Sequence, residues 1–277
     1  MLKAIQNHWP EYLMEAWGLG TFMVAACIGT AVLWHPDSPV EHWTGNNPTL
    51  QRLLMGIAMG LTAIGIVYSP WGKRSGAHIN PALTLTFLRL GKIHFWDAVF
   101  YILFQFLGAI AGVALTWLVL GSAISLPQVN FAITVPGESG AFVAFVAEML
   151  ISAGIMGTVL FATNQPKLMN VTGILIGCLL VIYITFEAPL SGMSMNPART
   201  VGSAVVANVW TGWWLYFLAP TIGMLAAAEI YLWTRGKDAV HCAKTNHTMD
   251  VRCIFKCGMH EMMEKEQQRI QARSASE

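Results

Sequence analysis

The chain is short of charge. Asp, Glu, Lys and Arg make up 11% of its 277 residues, against about 25% in soluble globular domains. That is too little polar side chain for an ordinary water-facing surface, so a soluble domain is excluded. A formal net charge of +1 also withholds the basic field that a nucleic-acid partner requires, and none is expected. The first ten residues, Met1 to Pro10, hold Lys3, His8 and Trp9 and lack the layout of a signal peptide. The first apolar run is therefore expected to stay in the mature chain. What is abundant is apolar side chain, 55% of the residues, and an integral membrane protein follows.

A span needs about 20 mostly apolar residues. Six stretches qualify: Glu11 to Trp34, Leu50 to Tyr68, Trp96 to Leu120, Gly140 to Ala162, Leu168 to Phe186 and Gly212 to Trp233. The polar connections from Trp34 to Pro48 and from Gly121 to Ser139 read as loops. Two further apolar segments, after spans two and five, are broken by Gly, Ser, Asn and Pro and are too short to cross. They fit re-entrant half-helices, which survive at membrane depth only when buried in protein or lining a water-filled cavity. Lys and Arg are missing from the first and third connections until Arg52, yet present at the N-terminus, in the second and fourth connections and after Trp233. This bias places both termini in the cytoplasm of a multi-pass cell-membrane protein.

The broken segments carry one motif twice: Ser75-Gly76-Ala77-His78-Ile79-Asn80-Pro81-Ala82 and Ser191-Gly192-Met193-Ser194-Met195-Asn196-Pro197-Ala198-Arg199. Asn is a favoured N-cap, and Pro at the next position sacrifices only an N–H that the helix leaves unpaired. A helix should start at each Asn. The one ending at Gly91 is about ten residues, roughly 15 Å at 1.5 Å per residue, or half a membrane. Gly56 and Gly60 precede Asn80 at nearly the separations by which Gly173 and Gly177 precede Asn196, and Gly108 and Gly223 follow in the same way. A duplicated unit of three spans and a half-helix inverts its second copy across the membrane, so the half-helices meet N-terminus to N-terminus near the midplane. Repeat one is read as about residues 10–125 and repeat two as about 138–234, together the channel domain 1–234, with 235–277 as a cytoplasmic tail.

Two Asn-Pro-Ala tripeptides, the second followed by Arg199, with Ser75-Gly76-Ala77-His78 before the first and Glu15 and Glu148 early in spans one and four, closely resemble the aquaporins, in particular a bacterial water-channel-like member. The resemblance covers about residues 10–235. It implies an all-α membrane protein, a right-handed bundle of six transmembrane helices plus two re-entrant half-helices. It further implies a homotetramer in the lipid bilayer with one water-filled pore per subunit. No enzyme activity and no cofactor for transport are expected.

Physical chemistry gives these residues roles. Each half-helix N-terminus carries about half a positive charge, so a cation at the midplane meets a repulsive field. Asn80 and Asn196 cap with their side-chain oxygens, leaving the NH₂ groups for passing water and interrupting a proton-conducting chain. Arg199 is costly inside a span and should face water at the outer mouth, the alternative being a structural Arg that ties loop carbonyls together. The resemblance sets Met193, Met59 (or Gly60) and Ile184 (or Thr185) beside it in a selectivity filter. Water-specific members carry Phe and His at the span-two and span-five positions, so this filter is unusually apolar. Thr200, where glycerol-conducting relatives place Asp, favours water. Small neutral solutes such as glycerol, ammonia or hydrogen peroxide are the second reading, and a coupled secondary transporter is the alternative of another class. Glu15 and Glu148 are read as acceptors for backbone N–H groups of the broken segments, the alternative being a proton relay. His78 is grouped with Glu15 and Glu148 in loop support, and it either lines the inner vestibule or senses pH. Glu187 is expected to reach the interface, and Cys27 and Cys178 to pack as small apolar residues.

The tail holds Cys242-x4-His247-x5-Cys253-x3-Cys257. Three thiols and an imidazole form an accepted structural zinc set, the competing reading being an unstructured tail with incidental cysteines. Glu261 and Lys265 form an i,i+4 pair that suggests a solvated helix.

Overall fold

The computed structural model describes residues 1–45 and 47–274, and the described residues form helices and loops without strands. Six helical stretches among the described residues are long and apolar enough to cross a membrane: α1 (Leu2–Trp34), α3 (Pro48–Tyr68), α6 (Phe95–Leu120) with the turns that follow it to Ser125, α7 (Gly140–Thr163), α8 (Thr172–Phe186) with the turn before it from Met169, and α11 (Leu215–Arg235). They answer the six expected spans, with two changes. Helix α1 begins at Leu2, well before Glu11, and runs through Pro10. Its first turns are tied down by His8, whose Nδ1 sits 2.8 Å from the buried Asp97 carboxylate. The loop after α1 contains a short helix, α2 (Pro39–Thr44), started by the Ser38 side chain accepting from the Val40 N–H.

The broken segments are helical in two pieces each. Short α4 (Pro70–Ser75) precedes half-helix α5 (Pro81–Arg89), and short α9 (Ala188–Ser191) precedes half-helix α10 (Pro197–Ala207). Beyond α11 the chain runs without regular structure to α12 (Met259–Ser274), which includes the Glu261 and Lys265 pair.

Packing follows the duplication. α1 lies along α6 as α7 lies along α11, α3 pairs with α8, and each half-helix packs on the third span of the other repeat, α5 on α11 and α10 on α6. Close approach depends on glycine at matching positions: a Cβ on Gly108 would fall 2.1 Å from the Ala16 carbonyl oxygen, and one on Gly223 would fall 2.1 Å from that of Met149. Without a hydrophobic drive in lipid, such backbone contact is what holds spans together. The outer surface is apolar, with Leu61, Leu118, Phe142 and Trp233 exposed, as lipid requires. Cys27 is buried as expected, whereas Cys178 faces outward.

Candidate functional site

A cavity of about 570 Å³ passes between the two repeats. Trp34, Arg52 and Pro127 line one mouth, with Arg199 below them, while Val67, Ala77, His78 and Thr245 line the other end. Asn80 and Asn196 lie between, at the start of α5 and α10.

Both loops are held by the same framework. In repeat one, Glu15 Oε1 accepts from the Ser75 hydroxyl at 2.8 Å and the His78 N–H at 3.1 Å, and Oε2 accepts from the Ile79 N–H at 2.6 Å and Gln105 Nε2 at 2.8 Å. In repeat two, Glu148 Oε1 accepts from the Ser191 hydroxyl at 2.7 Å and the Ser194 N–H at 2.6 Å, and Oε2 accepts from the Met195 N–H at 2.7 Å. Tyr101 and Tyr216 donate to the carbonyls of Ser75 and Ser191. The loop conformations match as well, with positive φ at Ala77 (49°), Ile79 (40°), Met193 (52°) and Met195 (53°). A β-branched residue such as Ile79 enters that region only under outside constraint, and the buried carboxylate supplies it. All four carboxylate oxygens are occupied as acceptors from the loops and their neighbours.

Each Asn caps its own half-helix. Asn80 Oδ1 accepts from the Ala82 N–H at 2.9 Å, and Asn196 Oδ1 accepts from the N–H groups of Ala198 at 3.0 Å and Arg199 at 3.2 Å. The amide groups are not wholly free, which corrects the sequence reading. Asn80 Nδ2 donates to the Met195 carbonyl at 2.8 Å and Asn196 Nδ2 to the Ile79 carbonyl at 2.7 Å. Each NH₂ thus spends one hydrogen stitching the two half-helices together and keeps one.

Arg199, Met193, Met59 and Ile184 all line the cavity. Gly60 faces α8, where a Cβ would meet the Gly177 carbonyl, and the Thr185 hydroxyl bonds back to the Val181 carbonyl. Arg199 is 9% exposed and donates through Nη1 to the Ala132 carbonyl at 2.7 Å. It is therefore both wall and brace. Sequence reasoning missed Arg52, a second cation on this mouth whose Nε donates to the Thr185 carbonyl at 3.0 Å. It also missed Tyr101 and Tyr216, although their separations from the serines, 26 and 25 residues, show the one-residue slip of the glycine pairs. Thr200 joins Thr134 and Ser194 through hydroxyl contacts of 2.8 and 2.6 Å. Glu187 is buried, 8% exposed, instead of reaching the interface.

At the other end the tail is folded. Cys242, His247, Cys253 and Cys257 bring their ligand atoms within 4.8 Å of one another, with Cys242 Sγ 3.6 Å from Cys253 Sγ and Cys257 Sγ 3.2 Å from His247 Nε2. Hydrogen bonds from Cys242 and then Cys253 hold the Cys257 thiol far below the ordinary thiol range. Burial is the largest influence on His247 and opposes its charge, but the bonds and charges of Cys253 and Cys257 outweigh it and carry the imidazole up to about 9. This cluster can hold a metal ion.

The family model for "Major intrinsic protein" matches residues 2–231. The chain belongs to that family. Its members are membrane channels and not enzymes, so the protein is a multi-pass channel. Among curated relatives it is 34% identical over 244 residues to "Aquaporin NIP2-3" of Zea mays, covering 87% of this chain and 77% of the relative. It is 35% identical over 183 residues to "Probable aquaporin NIP-type" of Nicotiana alata, covering 66% of each. These are plant proteins and give no support to a bacterial member. The solved structure of the aquaglyceroporin from Plasmodium falciparum superposes with a TM-score of 0.68 at 18% identity, over 81% of this chain and 96% of that one, which establishes the aquaporin fold.

Proposed function

We propose that this channel conducts water passively and excludes protons and ions, as a homotetramer with one pore per subunit and both termini in the cytoplasm. The observation that supports it best is the reciprocal pair of bonds from Asn80 to Met195 and from Asn196 to Ile79. Those bonds fix two helix N-termini against each other in the cavity and leave one N–H on each Asn for the pore. A water oxygen passing this point accepts from both donors and turns its hydrogens away from its neighbours, and the facing helix dipoles repel a hydronium. Arg199, Met193, Met59 and Ile184 form the selectivity filter in this reading. One cationic donor among three apolar side chains replaces little of a solute's hydration, so ions are left outside.

The second reading is passage of small neutral solutes. The absence of His and Phe among the filter residues favours it, because thioether and aliphatic walls accept the CH groups of a polyol without loss. Osmotic shrinkage of proteoliposomes, followed by light scattering, separates the two. Rapid shrinkage in sucrose and no re-swelling in glycerol supports water alone, while re-swelling in glycerol supports the second reading. Shrinkage at the protein-free lipid rate in both gradients, with the metal described below removed, would exclude either.

The Cys242, His247, Cys253 and Cys257 cluster is proposed to hold structural zinc. Zn–S bonds near 2.3 Å in a tetrahedral site set sulfurs about 3.8 Å apart, close to the 3.6 Å between Cys242 and Cys253. Metal content measured with and without Cys253→Ser tests this, and equal content would end it.

A further inference from the structure

The tail's packing raises a question that a structural zinc alone does not answer. Seven of the eight residues from Val240 to His247, all but His241, are buried, 0–5% exposed, although this segment follows the last span and carries polar side chains. Its partners lie around one end of the cavity. His241 N–H donates to Asn164 Oδ1 after α7 at 2.7 Å. The Ala243 carbonyl sits 2.8 Å from His78 Nε2. Thr245 donates twice to the Gly76 carbonyl, from its N–H at 3.1 Å and its hydroxyl at 2.9 Å. The Lys256 N–H donates to the Lys92 carbonyl after α5 at 2.9 Å. Arg252 reaches α1, donating to the Asn7 carbonyl at 3.0 Å and lying 3.6 Å from Glu11. The Phe255 ring stacks on His78, centroids 5.3 Å apart and planes 8° from parallel. Thr245 contributes to the cavity wall itself.

The metal ligands bracket these contacts. Cys242 and His247 stand on either side of Ala243 and Thr245, and Cys253 and Cys257 on either side of Phe255. One ion would therefore clamp both docking segments at once, and without it each is a short irregular loop that must order itself at the expense of its conformational entropy. A second feature suits an ion here. Zn²⁺ with three thiolates and a neutral imidazole carries a net charge of −1, and the Lys244 side chain, two residues from Cys242, is fully buried and donates to the carbonyl of Arg252, the neighbour of Cys253, at 2.7 Å. An ammonium buried beside such a centre neutralises it, and buried charges persist when paired in this way.

Resting on the zinc reading above, we propose that the metal-bound tail is a lid on the pore: zinc holds Ala243 to Thr245 and Phe255 against the Gly76 to His78 loop, and loss of zinc releases the lid and raises flux. The signal sensed is the availability of a borderline-soft divalent ion, for which three thiolates and an imidazole are selective over calcium or magnesium.

The test uses full-length protein purified with zinc and reconstituted in proteoliposomes, with metal content and osmotic shrinkage measured on the same sample. One zinc per chain is expected. A membrane-permeant chelator should strip it and raise the shrinkage rate several-fold, and added zinc should reverse this. Phe255→Ala separates docking from metal binding, since it keeps zinc yet should shrink at the stripped rate and ignore the chelator. Bound zinc whose removal leaves the rate unchanged, or lowers it, overturns the lid and leaves the zinc site standing. Wild type and Cys253→Ser carrying equal metal overturn the zinc reading and the lid with it. Shrinkage at the lipid rate both with and without zinc overturns the lid together with the channel reading.

Discussion

The two re-entrant loops are built alike and equipped differently. Position for position, Glu15 matches Glu148, Ser75 matches Ser191, Tyr101 matches Tyr216 and Asn80 matches Asn196, and even the minor bonds repeat: His78 Nδ1 lies 3.1 Å from the Thr84 hydroxyl as the Ser194 hydroxyl lies 2.6 Å from that of Thr200. Apart from a Gln105 donor to Glu15 and a second cap bond at Asn196, the differences lie in what each loop offers outward. The first carries His78, whose ring reaches the tail, and Leu83. The second carries Ser194, which stays within its loop, and Arg199. Symmetric parts thus hold the two half-helix starts in place, and asymmetric parts make the two ends of the cavity different, one lined by Arg199 and the other by His78 and the docked tail.

If the frameworks are equivalent, the same change should do equal damage in both. Glu15→Leu and Glu148→Leu each strand two buried backbone N–H groups, at about 1–3 kcal/mol per group, so both should lower the thermal unfolding midpoint in detergent severely or abolish folded protein. A large difference between the two would break the equivalence. Next in size, Asn80→Asp and Asn196→Asp place a carboxylate against the facing helix termini and should let protons through. Internal pH of vesicles under a pH step reads this, and a leak from only one variant would show that the barrier is not shared. Arg199→Val sharpens the asymmetry: glycerol re-swelling should quicken while the unfolding midpoint falls with the lost bond to the Ala132 carbonyl, and an unchanged solute profile removes Arg199 from the filter. The smallest effect is expected from Tyr101→Phe and Tyr216→Phe. Each loses one hydrogen bond, about 1 kcal/mol, which lowers the unfolding midpoint by a few degrees equally in both and leaves water flux intact.

The duplicated parts were the legible ones, for a physical reason. A half-helix announces itself locally, through Asn before Pro and a short apolar run, and a buried Glu in an apolar span must have a partner, so the capping by Asn80 and Asn196 and the need of Glu15 and Glu148 for partners could be read from the chain itself. Contacts made across the molecule could not. Nothing near Ala243 says that its carbonyl meets a histidine 165 residues away, and the wide ligand spacing gave the tail no local pattern, so an unstructured segment remained open as an alternative. The Asn amides show the same limit: capping is a local rule, but the bond each makes to the opposite loop exists only once the inverted copy is in place. That Met59 and Ile184 line the cavity while Gly60 meets α8 depends on which face of α3 packs on α8, a matter of packing rather than of sequence register. The start of α1 was missed because Pro10 normally disfavours a helix interior, and the contact of His8 with Asp97 that steadies it lies between distant residues.

The most direct test of the central claim, that the facing Asn-capped helix ends pass water and stop protons, is to record shrinkage and internal pH together in one set of proteoliposomes stripped of metal. Shrinkage far above the protein-free rate with proton entry at the protein-free rate is the expected result. Proton entry that rises in step with water, or shrinkage no faster than lipid alone, would contradict it.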